Sequence, residues 1–204
     1  MKVALTDGGW NEFHKRAAVL GLPQIPDAGI VERYAGLIEG RDDRVLLLGV
    51  TRAMAALGKD LTALDLSAKQ IEQMWPGDTP ARRVILGDWR EMELLPGNFT
   101  SAIGDGSLST LAWPGEYRTV LDRVAAGVEP GGIVAIRCFI APDKRESLDQ
   151  IAADVLAGRE RHCNAARWRI AAAAADERGN VRVAEIASSW RKLFPAAEWL
   201  SRQT

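Results

Sequence analysis

The segment Arg44 to Ser67, RVLLLGVTRAMAALGKDLTALDLS, restricts what this chain can fold into more than any other. Val45 to Leu48 is an unbroken apolar run, the pattern of a strand covered on both faces, and such strands belong to parallel sheets packed between helices. Gly49 follows, a residue that lets the chain turn tightly and approach a ligand closely. A short helix and a second strand, Leu61 to Leu64, are expected next, closed by Asp65. Carboxyl ends of neighbouring parallel strands lie side by side, so Gly49 and Asp65 should face one crevice, where a carboxylate can take both hydroxyls of a ribose. That geometry points to a nucleoside-containing cofactor. The interval between the two residues is short for a dinucleotide fold, and Gly49-Val50-Thr51-Arg52-Ala53-Met54 carries no G-x-G-x-x-G. An NAD-dependent enzyme, which Asp65 would allow at the ribose, is therefore the weaker alternative.

Two later segments repeat the same grammar of a strand ending in Gly-Asp. Val84 to Leu86 leads into Gly87-Asp88-Trp89, which gathers a carboxylate, backbone N–H groups and a large aromatic at a third strand end. An adenine ring needs those parts: an acceptor for its exocyclic amine, a donor to a ring nitrogen and an apolar cover. Asp88 could equally cap a following helix. The second segment, Phe99 to Asp105, runs into Gly106-Ser107. Asp105-Gly106 can serve as a plain turn or bring a carboxylate to the site.

The ordered series of glycine turn, Asp-Leu-Ser, Gly-Asp, Gly-Asp-Gly and Glu129-Pro130-Gly131-Gly132 resembles class I S-adenosylmethionine-dependent methyltransferases, over roughly Arg41 to Phe139. It looks like a divergent subset with a Gly-Val-Thr loop. The resemblance implies a Rossmann-like, doubly wound, mostly parallel α/β sheet of about five to seven strands, with S-adenosyl-L-methionine as cofactor. By that likeness, Leu48, Gly49, Val50 and Thr51 approach the methionine part, Asp65 beside Leu66 binds ribose, and Gly87, Asp88 and Trp89 hold adenine. Asp105 and Gly106 border the transferred methyl, and Asp105 is the candidate catalytic residue, able to orient or deprotonate an acceptor, with Ser107 and Ser109 adding hydrogen bonds. The family's acidic residue two positions before the first glycine is replaced by Leu47, and later glycines by Thr51 and Ala53. These changes remove a partner for a cationic amino group and narrow the backbone's approach, so a methyltransferase-like binding module without turnover is a second alternative. The Pro-Gly-Gly turn before the fifth strand, Ile133 to Phe139, is mainly structural.

Composition narrows the setting. With 204 residues, 47% of them apolar, the chain can bury the core of a single domain, divided as 1–40 (helical cover), 41–139 (cofactor-binding core) and 140–204 (helical). The balance of 26 basic against 27 acidic side chains gives no electrostatic case for a nucleic-acid groove, and Arg159, Arg161, Arg167 and Arg169 read as a solvated helix face. The Asp/Asn-Pro-Pro-aromatic loop of methylases acting on bases is absent; the chain reads Gly104-Asp105-Gly106-Ser107, which favours a small-molecule acceptor. Cys138 is expected in a buried strand and Cys163 in a helix, with no C-x-x-C and only two histidines, so no metal site is expected. No apolar stretch suits a membrane span or a signal segment, and the expected location is cytoplasmic.

Helical patterns cover Gly9 to Leu20 and Ala28 to Glu39 ahead of the sheet. Trp10, Phe13, His14 and Tyr34 are candidates to cover the cofactor, or simply amphipathic packing residues. Trp113, Tyr117, Arg137 and Phe139 are candidates to line the acceptor space. Beyond Phe139 three helices are expected, Arg145 to Leu156, Arg161 to Ala175 and Val181 to Leu193, separated by Gly158 and a turn at residues 177–180. No terminal strand pair is legible, so the sheet is expected to stop at its fifth strand or to be completed by a second chain in a homodimer.

Overall fold

The period-two alternation of the first strand organises the domain. A computed structural model describes residues 23–40, 44–93, 98–140, 142–177 and 179–194; the expected helix Gly9 to Leu20, with Trp10, Phe13 and His14, lies outside them. Helix α1 (Ala28–Ile38) precedes strand β1 (Arg44–Leu48). Along β1, Val45 and Leu47 enter one apolar cluster and Leu46 and Leu48 enter the other, all four at most 1% exposed. A strand buried on both faces in this way needs helices above and below it. Burying each such leucine stabilises the fold by about 2 kcal/mol.

Strands β2 (Asp60–Asp65), β3 (Arg82–Leu86), β4 (Phe99–Asp105) and β5 (Val128–Arg137) complete a wholly parallel sheet in the order β3-β2-β1-β4-β5. Helix α2 (Ala68–Met74) lies between β2 and β3 in the chain, and α3 (Gly115–Gly127) between β4 and β5. Tyr34 and Ile38 of α1 pack in the cluster with Val45, Leu47 and Ile103, where Ile71 of α2 also contributes; Val120 and Val124 of α3 pack with Leu46, Leu48 and Ala102. Three layers result, helices over each face of one sheet, the expected Rossmann-like α/β architecture.

Local details depart from expectation in three places. Between β1 and β2 the chain makes only a single 3₁₀ turn, Arg52–Met54, where a short helix was expected. Strand β5 starts at Val128, earlier than expected, because Glu129-Pro130-Gly131-Gly132 forms a bulge within it: Phe99 pairs with Val128 and Ser101 with Ile133. Cys138, expected in a buried strand, is exposed, since pairing ends one residue earlier at Arg137.

The described residues within 140–194, with 23 and 24, form a second compact unit. Its helices are α4 (Leu148–Leu156), α5 (Cys163–Ala174) and α6 (Val183–Leu193), close to the three expected. Arg169 on α5 donates to Glu146 and, at 2.5 Å, to Asp154 on α4, while Arg159 pairs with Asp154 and Arg167 lies 5.1 Å above the Trp190 ring. Two arginines read as a solvated face, Arg167 and Arg169, are thus engaged between helices, while Arg159, 60% exposed, pairs at the end of α4. Among the described residues no helix is long and apolar enough to cross a membrane, and no cluster of three His, Cys, Asp or Glu side chains could hold a metal ion.

Candidate functional site

Strand order reverses at β1: the chain moves outward to β2 and β3, then returns to β4 on the other side of β1. A crevice opens outside the carboxyl ends of β1 and β4 at such a switch point. Leu48 pairs with Leu64 on one side and with Gly104 on the other, so Gly49, Asp65 and Asp105 follow at three adjacent strand ends.

Gly49 adopts φ +101°, a conformation that side chains rarely tolerate, and its N–H donates to Leu64 O at 2.9 Å. A Cβ built there would lie 3.8 Å from Asp65 Oδ2 and 3.8 Å from Trp89 Cζ2. The bare α-carbon therefore faces the carboxylate and the indole together. Asp65 is 7% exposed; its Oδ1 accepts from Ser67 N at 2.8 Å, and the Ser67 hydroxyl in turn caps α2 by accepting from Gln70 N. Burial pushes the Asp65 carboxyl up to about 6, opposed by the Ser67 N–H.

At the end of β3, Gly87 N donates to Asp65 O at 3.0 Å, and Trp89 folds back so that its indole N–H donates to Leu64 O at 2.6 Å. Among the described residues no helix follows directly for Asp88 to cap. Instead its carboxylate accepts from the Arg90 backbone at 2.8 Å and from the Arg90 guanidinium, which also reaches Glu116 of α3 at 2.9 Å. The guanidinium holds the Asp88 carboxyl below its usual range. Sequence reading missed Arg90, because nothing in its spacing distinguishes it from a solvated arginine.

Of the other expected residues, Leu48 and Val50 are buried at 1% and 2%, so these two can offer a ligand only backbone. Leu66 is exposed and Thr51 half-buried. Ser107, expected to reach substrate, is buried and donates its hydroxyl to Leu48 O at 2.7 Å, locking β1 to the loop after β4. Gly104 has to be glycine for that link, since a Cβ would meet Ser107 Oγ at 2.6 Å.

Asp105 at the end of β4 forms an ion pair with Arg137 at the end of β5; its side chain is only 3% exposed. Burial raises the Asp105 carboxyl, and Arg137 pulls it back down. The Arg137 guanidinium lies 4.9 Å from the centre of the Phe139 ring, and that ring approaches Gly106, where a Cβ would sit 3.1 Å from Phe139 Cε2. Arg137, Phe139 and Asp105 are thus gathered as one wall. Trp113 is 78% exposed and stacks edge-on with Tyr117 at 5.2 Å.

No protein-family model and no curated protein matches the sequence. Solved structures do. A protein from Methanococcus maripaludis described as an S-adenosyl-L-methionine-dependent methyltransferase superposes with a TM-score of 0.53 at 14% identity, covering 97% of this chain and 88% of that one. The complex of DhpI with SAM and HEP superposes with a TM-score of 0.51 at 18% identity, covering 74% and 72%. A protein from Anaeromyxobacter dehalogenans described as a type II methyltransferase gives a TM-score of 0.46 at 15% identity over 68% of this chain, which spans only 58% of that protein. The first two likenesses establish the fold as the Rossmann-like one of S-adenosylmethionine-dependent methyltransferases.

Proposed function

We propose that the chain is an S-adenosylmethionine-dependent methyltransferase acting on a small-molecule acceptor. The observation that carries this reading is the pairing of a buried carboxylate, Asp65, with the open α-carbon of Gly49 across adjacent strand ends. The residues fit the cofactor: Asp65 Oδ2 faces the side-chain-free space at Gly49, and Trp89 lines the same space. When bound, S-adenosylmethionine supplies a methyl group on a sulfonium centre that leaves readily, so the protein's tasks are alignment and exclusion of water.

In this reading Asp65 accepts from the ribose hydroxyls, and the backbone of Leu48 to Thr51 with its Gly49 turn faces the methionine part. Gly87, Asp88, Trp89 and Leu66 surround adenine; three donors of Arg90 reach the Asp88 carboxylate, its Nε–H shared by both oxygens, which leaves about one of four lone-pair positions for an exocyclic amine. Asp105 and Gly106 border the transferred methyl, with Arg137 paired to Asp105. A second reading, a module that binds the cofactor without turnover, is favoured by the burial of Asp105 and its engagement by Arg137. Release of S-adenosylhomocysteine during incubation with a panel of amine, hydroxyl and carboxylate acceptors separates the two.

The Asp65 carboxyl near 6 gives the cofactor site its test. Ribose hydroxyls donate to the ionised form, so binding must first remove the proton below that pH. Affinity for S-adenosylhomocysteine should be flat above pH 7 and fall about tenfold by pH 5. Asp65→Asn should abolish that dependence in calorimetric titrations. A parallel pH dependence in wild type and Asp65→Asn would remove Asp65 from the site.

Stability of the free protein runs the other way. The folded carboxyl titrates above its unfolded value of 3.8, so the folded state binds the proton more tightly. The contribution is fully present below about pH 4 and is lost as pH rises through 6, on the order of 3 kcal/mol. Denaturant midpoints of wild type compared with Asp65→Asn across that window check the sign.

A further inference from the structure

Tyr34 lies on α1, 6% exposed and packed in the apolar cluster with Ile38 and Leu47, and by that packing alone it would be a core residue. Its hydroxyl does something the packing does not require. It donates to Gly104 O at 2.6 Å and accepts from Arg137 N at 2.8 Å, linking residues 70 and 103 positions away in the chain. Gly104 immediately precedes Asp105, and Arg137 is the residue whose guanidinium holds Asp105. Burial raises the phenol above its ordinary value of 10.0, so the hydroxyl keeps its proton and both bonds near neutral pH.

We infer that Tyr34 is a positioning residue whose hydroxyl, bridging Gly104 O and Arg137 N, sets the alignment of the Arg137–Asp105 pair at the ends of β4 and β5. The hydroxyl is shared between the two strand ends where Asp105 pairs with Arg137 in register. Taking the hydroxyl away removes the acceptor of the Arg137 N–H, lets the base of the guanidinium stem shift, and weakens the hold of Arg137 on Asp105. The inference deepens the methyltransferase reading by naming what orients the wall at the transferred methyl; its structural content stands without that reading.

The test compares four full-length proteins: wild type, Tyr34→Phe, Arg137→Gln and the double variant. Carbon NMR follows ionisation of the Asp105 carboxyl, and hydrogen exchange follows the Arg137 amide. In Tyr34→Phe the Arg137 amide should exchange about tenfold faster, and the Asp105 midpoint should rise. In the Arg137→Gln background the tyrosine substitution should move the Asp105 midpoint no further, because the coupling runs through Arg137. An unmoved Asp105 midpoint in Tyr34→Phe, or the same rise in both backgrounds, would overturn the inference.

Should Tyr34→Phe not fold, 3-fluorotyrosine labelling of the two tyrosines answers the same question. The Tyr34 fluorine resonance should follow Asp105 ionisation in wild type and follow it more weakly in Arg137→Gln, where only the direct field of Asp105 remains; a signal indifferent to Asp105 in wild type, or one undiminished in Arg137→Gln, overturns the inference. Calorimetry with S-adenosylhomocysteine keeps the two claims apart. Tyr34→Phe leaves Gly49 and Asp65 untouched, so its affinity should stay within about twofold of wild type. If neither protein binds, the methyltransferase reading fails, while the Asp105 titration still decides the role of Tyr34.

Discussion

Replacing Asp65 by alanine should weaken S-adenosylhomocysteine binding by about 1.5–3 kcal/mol, or roughly ten- to 150-fold, the loss of charge-assisted hydrogen bonds to two hydroxyls. The size of the effect follows from burial. A carboxylate that is 7% exposed has exchanged its water for fixed partners, and Ser67 N satisfies only one of its oxygens. In the proposed function, a ligand hydroxyl there would replace missing solvation. The substitution should not unfold the protein: ionised Asp65 costs folding energy above pH 6, so Asp65→Ala should melt no lower than wild type at pH 7.5. Calorimetric titration and a thermal melt on the same preparation distinguish lost binding from lost structure. Undiminished affinity in the folded variant would remove Asp65 from the site.

Gly132→Ala is expected to be the most destabilising single methyl addition. A Cβ at this position would lie 2.4 Å from Val128 Cγ1, 2.7 Å from Thr100 O and 2.9 Å from Glu129 O. The valine can rotate, but the two carbonyl oxygens belong to β4 and to the bulge itself, and shifting them breaks the β4–β5 pairing that carries Asp105 and Arg137 to the site. The cost should be about 2–3 kcal/mol, lowering the melting temperature by about 5–10 °C for a chain of this size. Gly131→Ala is the control, because open space surrounds its α-carbon and only its φ of +80° opposes a side chain, a cost of about 1–2 kcal/mol. Equal melting of Gly132→Ala and wild type would mean that the bulge is not packed as described.

What the sequence made legible, and what it did not, divides along range of interaction. Val45 to Leu48 could be read as a strand covered on both faces because burial on two sides leaves an unbroken apolar run, and Gly49 and Asp65 then follow from parallel geometry alone. The Glu-Pro-Gly-Gly segment was legible as structural, though its bulge within β5 was not, since a bulge depends on the partner strand. Side-chain links between distant elements left no trace. Ser107 reads as a free hydroxyl in a loop yet is consumed by Leu48 O, 59 residues away. Arg137 was legible as a candidate to line the acceptor space, but not its ion pair with Asp105, 32 residues away. Tyr34 falls four residues from both Ile30 and Ile38 on α1, a spacing that announces a packing residue and conceals the hydroxyl's two hydrogen bonds.

The proposed function requires the crevice at Gly49 and Asp65 to take an S-adenosyl nucleoside. The most direct test is a thermal-shift titration of the full chain with S-adenosylmethionine, S-adenosylhomocysteine and NAD. Ligand at about 100 times its dissociation constant adds about 2.7 kcal/mol, a rise of roughly 5–10 °C here. That rise is expected with both S-adenosyl compounds, with its loss in Asp65→Ala and none with NAD; no shift with either S-adenosyl compound, or an equal one with NAD, would overturn the proposed function.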